Sequence, residues 1–313
     1  MKFTKSVVLA LKGCAMGMAD VVPGVSGGTI AFISGIYEEL IDSIRSVDAT
    51  ALRLLARLRL GELWRHVNGR FLLPVLTGIA IAVFSLARLM TYLLEHHPIE
   101  IWSFFFGLIV ASALLVSKQI GRWDWRTAAA LAVGAAAAWW ITVATPTETP
   151  NDWWFVMLSG AVAICAMILP GISGAFILLL LGKYQYIMQA VGDLNIPVIA
   201  IFAVGAAAGI ISFSHLLSWL LKHWHDVTVA VLMGFMVGSL NKVWPWKETV
   251  ETYTDSHGVL QPLVERNIAP GHFEALYDKP SLLAEAVLLC AAGFLAIYGI
   301  ELLARIVLKK REE

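Results

Sequence analysis

Two long apolar stretches, residues 4–44 and 153–191, are each broken near the middle by the same short sequence, Pro-Gly-x-Ser-Gly. The first break runs Pro23-Gly24-Val25-Ser26-Gly27-Gly28-Thr29, the second Pro170-Gly171-Ile172-Ser173-Gly174. Proline lacks an amide hydrogen and disfavours helix at the residue before it, so each break ends one helix. A serine three residues on stands where the N-cap of a following helix belongs. In hydrocarbon every backbone polar group needs a partner, so a break of this kind survives only inside protein or along a cavity.

The hydrocarbon setting follows from the rest of the chain. Of 313 residues, 58% are hydrophobic and only 15% charged, where soluble domains carry about 25% charged residues. Further apolar segments at 71–94, 100–117, 127–145, 196–221, 227–243 and 281–304 lie near the ~20 residues that a spanning helix needs. The net charge is zero, which gives no basic bias of the kind nucleic acid requires. Cys14, Cys165 and Cys290 lie in apolar sequence without metal-ligand spacing and read as packing residues. Residues 1–19 read as mature structure, because Lys12 interrupts the apolar core of any signal peptide or lipidation box.

The two broken stretches align without a gap from Ala19–Gly27 on Ala166–Gly174, continuing with Ile30 on Ile177, Gly35 on Gly182 and Tyr37 on Tyr184. A second collinear match sets Gly78, Ser85, Leu89, His96, Gly107 and Ser112 on Gly205, Ser212, Leu216, His223, Gly234 and Ser239. Between them the first half carries an arginine-rich insert, 45–70, with Arg45, Arg53, Arg57, Arg59, Arg65 and Arg70, suited to a membrane surface.

Charge sorts the loops. The positive-inside rule places 45–70, Lys118–Arg126 and the tail Lys309–Arg311 in the cytoplasm, and the acidic loops 146–152 and 244–280 outside. Each half then makes an odd number of crossings, so the halves are inverted. Ser6 to Ile36 is shorter than the ~40 residues two crossings need, which favours a re-entrant hairpin. The fold expected is therefore an all-α polytopic membrane protein of two inverted-topology repeats. The first, 1–145, has a re-entrant broken-helix hairpin at 4–44 and three transmembrane helices. The second, 146–313, has its hairpin at 153–191, three more helices and the external loop 244–280. Both termini are expected in the cytoplasm, and the site near the midplane between the repeats.

A helix N-terminus offers amide donors and partial positive charge to an anion. The tips are expected to leave amides unpaired for such a guest. Gly24, Ser26, Gly27, Gly28 and Thr29 would line one side of the cradle, and Gly171, Ser173 and Gly174 the other. Close helix packing by small residues is the competing reading. A hydrolase Gly-x-Ser-x-Gly elbow needs a strand before it, and apolar helix stands there instead. Arg88, near the end of 71–94, either pairs with the anion or reaches the interface. His215, near the corresponding position, and Asp20, beside the first tip, are candidate coupling groups. No cofactor is implied; a coupling proton or sodium ion is left open. An ion-coupled transporter of a small anion would use the same cradle. A lipid-phosphate enzyme lacks the clustered histidines and arginines it would need.

The run Gly13-x3-Gly17-Met18-Ala19-Asp20-Val21-Val22-Pro23-Gly24-Val25-Ser26-Gly27-Gly28-Thr29, with Leu169–Gly174 later, resembles the bacterial membrane family called domain of unknown function 368. The resemblance covers essentially the whole chain. It implies a translocase of undecaprenyl phosphate or a related polyprenyl phosphate, not an enzyme. It implies return of that lipid carrier from the outer to the inner leaflet of the bacterial cytoplasmic membrane. The polyprenyl-phosphate lipid and the bilayer are the partners, and a homo-oligomer is left open. Carried over by position, the implication falls on the two tips.

Overall fold

The computed structural model describes residues 2–20, 26–146, 149–254 and 260–309. Its elements are α1 (Lys2–Asp20), α2 (Gly27–Ile33), α3 (Tyr37–Arg45), α4 (Ala49–Ala56), α5 (Leu60–His66), α6 (Gly69–His96), α7 (Pro98–Ser117) and α8 (Trp125–Val143). They continue with α9 (Trp153–Ile168), α10 (Gly174–Leu180), α11 (Tyr184–Gly192), α12 (Ile196–His223), α13 (His225–Ser239), β1 (Lys247–Thr254), β2 (Leu260–Asn267), α14 (Pro270–Tyr277) and α15 (Leu283–Lys309). Helices α7, α8 and α12 are each long and apolar enough to cross a bilayer. Helices α9 and α13 are apolar but shorter, as are the apolar parts of α6 and α15.

Each broken stretch has a second break that sequence reading missed. Instead of two half-helices, a long helix, a seven-residue helix and a nine-residue helix follow one another in both. The cause is a left-handed glycine, Gly35 (φ 69°) and its counterpart Gly182 (φ 60°). Ile36 N–H donates to Ala31 O and Gly35 N–H to Phe32 O, the paired bonds that close a helix C-terminus. Lys183 to Leu178 and Gly182 to Leu179 repeat them at matching positions. The chain between α10 and α11 bends by 113°.

The expectation of an all-α fold is corrected in the loop 244–280. There β1 and β2 pair antiparallel, from Lys247 opposite Asn267 to Thr254 opposite Leu260, with a register shift around Glu251. Thr249, Val250, Thr252, Tyr253 and Thr254 supply the β-branched and aromatic side chains that favour a strand.

Small residues let helix backbones meet, as is usual in membranes. A Cβ at Gly13 would strike Val75 O, and one at its counterpart Gly160 would strike Phe202 O. Gly78 lies against Ala10 O, and Gly205 against Met157 O. So α1 packs on α6 as α9 packs on α12. Two further pairs complete the bundle: α7 packs on α15, and α8 on α13. Gly107 meets Cys290 O while Gly234 meets Leu131 O, and Gly293 meets Phe104 O while Gly134 meets Val231 O. The main core lies where these pairs meet α2 and α3, around Ala31, Phe32, Ile41, Ile109, Ala230 and Met236.

Candidate functional site

Helix α1 ends at Asp20, and α2 starts again at Gly27 with Ser26 as an extended N-cap (φ −122°, ψ 137°). The Gly28 N–H donates to Ser26 Oγ at 3.0 Å. The Gly27 N–H donates to Asp20 Oδ1 at 2.7 Å, which sets a carboxylate at the positive end of the short helix. The tip is tight: a Cβ at Gly27 would lie 2.5 Å from Asp20 Oδ2.

The second tip meets the first directly. Ser26 Oγ donates to Met167 O at 2.8 Å, and Tyr37 Oη donates to Ile168 O at 3.1 Å. These carbonyls belong to the last turn of α9 and have no partner within their own helix. Thr29 Oγ1 accepts the Gly171 N–H at 3.0 Å. Ser26 and Thr29 are completely buried. Gly171 adopts φ 89°, and a Cβ there would lie 2.7 Å from Ser239 Oγ.

Two expectations are corrected here. The amides of Gly27, Gly28 and Gly171 are not unpaired; each donates to an oxygen the protein supplies. Membrane backbone that leaves a helix is satisfied by neighbouring side chains, and here Asp20, Ser26 and Thr29 do this. Ser173 holds the N-cap position of α10 and is buried, yet its hydroxyl makes no cap bond. Gly174 is buried against Ala163 O.

The structure does not bring His215 to the tips. It lies on the exposed face of α12, with Nδ1 2.8 Å from Ile211 O of its own helix. Gly24 lies outside the described residues, and so does the Arg88 side chain, although the Arg88 backbone belongs to α6.

Sequence reading missed Tyr37, Asp42 and the cluster of Lys242, Lys247 and Glu265. Tyr37 showed only as an aligned tyrosine. Asp42 accepts from Ser218 Oγ at 2.6 Å and pairs with Lys222 at 3.0 Å, tying α3 to α12. Lys242 and Lys247 share the carboxylate of Glu265, at 2.9 and 3.5 Å, where β2 meets the end of α13. Burial, with Lys242 adding to it, pulls the Lys247 ammonium down to about 8, against the pull of Glu265. Burial pushes Glu265 up, but the two lysines outweigh it and hold the carboxyl below its usual range.

A multi-pass bundle whose two broken helices lock to each other in the buried interior defines a class: polytopic membrane proteins with an internal, non-helical polar centre. The model of the undecaprenyl phosphate translocase-like family matches residues 16–261, and the chain belongs to that family. A protein of Vibrio cholerae serotype O1 named "Polyprenyl-phosphate transporter" is 47% identical over 291 residues, covering 93% of this chain and 94% of that one. A Staphylococcus aureus protein of the same name is 34% identical over 253 residues, covering 75% of this chain and 85% of that one. No solved structure matches the chain.

Proposed function

We propose that this protein carries undecaprenyl phosphate, or a related polyprenyl phosphate, from the outer to the inner leaflet of the bacterial cytoplasmic membrane. Family membership and the names of the two relatives support the substrate. The observation that carries the mechanism is the interlock of the tips by three hydrogen bonds, Ser26 to Met167, Tyr37 to Ile168 and Gly171 to Thr29. Every donor in it is one a phosphate oxygen would accept. Parting the tips releases the Gly171 amide and the hydroxyls of Ser26, Tyr37 and Thr29 toward a headgroup, while the amides of Gly27 and Gly28 stay bonded within the first tip. Those bonds replace part of the hydration the phosphate loses inside the bilayer. The isoprenoid tail stays in lipid, and no covalent step is required.

The recurrence of glycine contacts in both halves supports reading them as inverted repeats that rock against each other. Contacts also support the orientation. Asp42 with Lys222, and Gly121 and Arg122 with Asp226, gather the basic loops at one end. Thr142 with Asn241 brings the ends of α8 and α13, which lead into the acidic loops, together at the other. The first is read as cytoplasmic, with both termini; the broken stretches are read as re-entrant from opposite sides. Asp20 occupies the donor a phosphate would need, so a proton or sodium ion at Asp20 would free Gly27 and couple ion to lipid. Arg88 is kept as a candidate headgroup ligand.

The test uses proteoliposomes carrying labelled undecaprenyl phosphate in one leaflet. The expected result is faster leaflet exchange than in protein-free vesicles. Exchange at the protein-free rate, with uptake of inorganic phosphate instead, would replace this reading by a small-anion transporter.

A further inference from the structure

Lys242 follows α13, and Lys247 opens β1. Both ammonium groups point at one oxygen, Glu265 Oε2, at 2.9 and 3.5 Å. The side chains of Lys242, Lys247 and Glu265 are 18%, 8% and 22% exposed. Each cation also faces a ring: Lys242 Nζ lies 4.9 Å from the centroid of Phe176, and Lys247 Nζ lies 4.4 Å from that of Trp102. Lys247 donates further to Lys242 O at 2.8 Å. Two largely buried cations thus share one carboxylate oxygen, and among the described residues no other carboxylate pairs with either. A buried charge normally has its own counter-ion. Burial is what lowers the Lys247 value, with Lys242 adding to it.

The cluster adjoins the second tip. Phe176 stands two residues past Gly174 on α10, at the position matching Thr29. Gly171 rests on Ser239, whose carbonyl accepts the Lys242 N–H at 2.8 Å. A groove of about 500 Å³ is lined by Phe106, Trp139, Val237, Leu240, Trp244 and Asn241, the residue before Lys242. Such a lining suits an apolar chain.

We propose that Lys242 and Lys247 form a phosphate-monoester site at the hairpin end of the molecule, where the headgroup of a polyprenyl phosphate docks before it reaches the tips. The site deepens the transport reading and rests on it for the identity of the lipid. Phosphate oxygens supply the missing negative charge, and the aromatic faces keep the ammonium groups in place.

The test is equilibrium binding to the purified full-length protein in nanodiscs, with three probes: undecaprenyl phosphate, undecaprenol and inorganic phosphate. Lys242→Gln is expected to weaken undecaprenyl phosphate at least about tenfold, the loss of one charge-assisted contact. Lys242→Arg should retain most of the affinity, and undecaprenol should bind both variants as it binds wild type. Lys247→Met guards against a folding defect at either single position. If both neutral variants bind undecaprenyl phosphate like wild type, the site is wrong. If inorganic phosphate binds wild type as tightly as the lipid does, the ligand is free phosphate and the lipid assignment falls. Leaflet exchange on the same preparations separates the two claims. Normal exchange with unaltered binding in both variants removes the site and leaves the transport reading. Lysine-dependent binding without exchange by wild type does the reverse.

Discussion

Thr29 Oγ1 accepts the Gly171 N–H at 3.0 Å, joining the two broken stretches across 142 positions of sequence. The bond is asymmetric between the halves. The position matching Thr29 is Phe176, which turns an aromatic face to Lys242 instead of a hydroxyl to the opposite tip. One half therefore supplies the lock, and the other supplies the face of a cation cage.

Thr29→Val keeps the shape of the side chain and removes the acceptor. A buried N–H left without a partner costs about 1–3 kcal/mol. A lower thermal midpoint in detergent is expected, with Thr29→Ser close to wild type. Equal midpoints for all three proteins would mean that the bond contributes nothing.

Two left-handed glycines should respond differently to alanine. At Gly35 (φ 69°) a Cβ meets nothing within 4 Å, so Gly35→Ala carries only the backbone penalty of about 1–2 kcal/mol. At Gly171 (φ 89°) the Cβ would lie 2.7 Å from Ser239 Oγ and 2.9 Å from Phe235 O, so Gly171→Ala costs more. Denaturation of the two variants side by side gives the order, and the reverse order would contradict the packing at the second tip.

Lys247 makes the hairpin end sensitive to alkaline pH. Its folded value, about 8, lies below its ordinary 10.5. Between those values the unfolded chain holds a proton the folded one has shed, so stability rises with pH across that window. Below about 8 the penalty for the buried charge is fully present. Lys247→Met should flatten the rise, as read by denaturant titration at pH 7.5 and 10. A slope unchanged by the substitution would assign it to other groups.

Asp20→Asn keeps an oxygen for the Gly27 N–H and removes the charge. Downhill leaflet exchange should persist, while stimulation by an imposed proton or sodium gradient is lost. Stimulation that survives the substitution would move the coupling site elsewhere.

The apolar blocks marked the helices well, because hydrocarbon length is written directly in composition. Segment 71–94 appears as Gly69–His96, and 196–221 as Ile196–His223. The break at Gly182 was hidden because Ile177–Leu181 reads as an uninterrupted apolar helix. The hairpin was hidden because Glu248, Glu251 and Glu265 made the segment look like plain polar loop. At the site, Pro-Gly-x-Ser-Gly was legible as a break. Its partners were not, since Tyr37 reaches Ile168 across 131 positions and only the fold brings them together. The amides were wrongly expected to be free because the groups that satisfy them, Asp20 and Thr29, read as ligand or coupling candidates.

The interlocked tips as the passage for the headgroup are tested most directly by leaflet exchange of labelled undecaprenyl phosphate with the double variant Ser26→Ala, Thr29→Val, alongside wild type. Wild type is expected to exceed protein-free vesicles, and the folded double variant to fall at least about tenfold below it, the loss expected for two buried hydrogen-bonding hydroxyls. Exchange by the double variant at the wild-type rate would contradict a path through the tips.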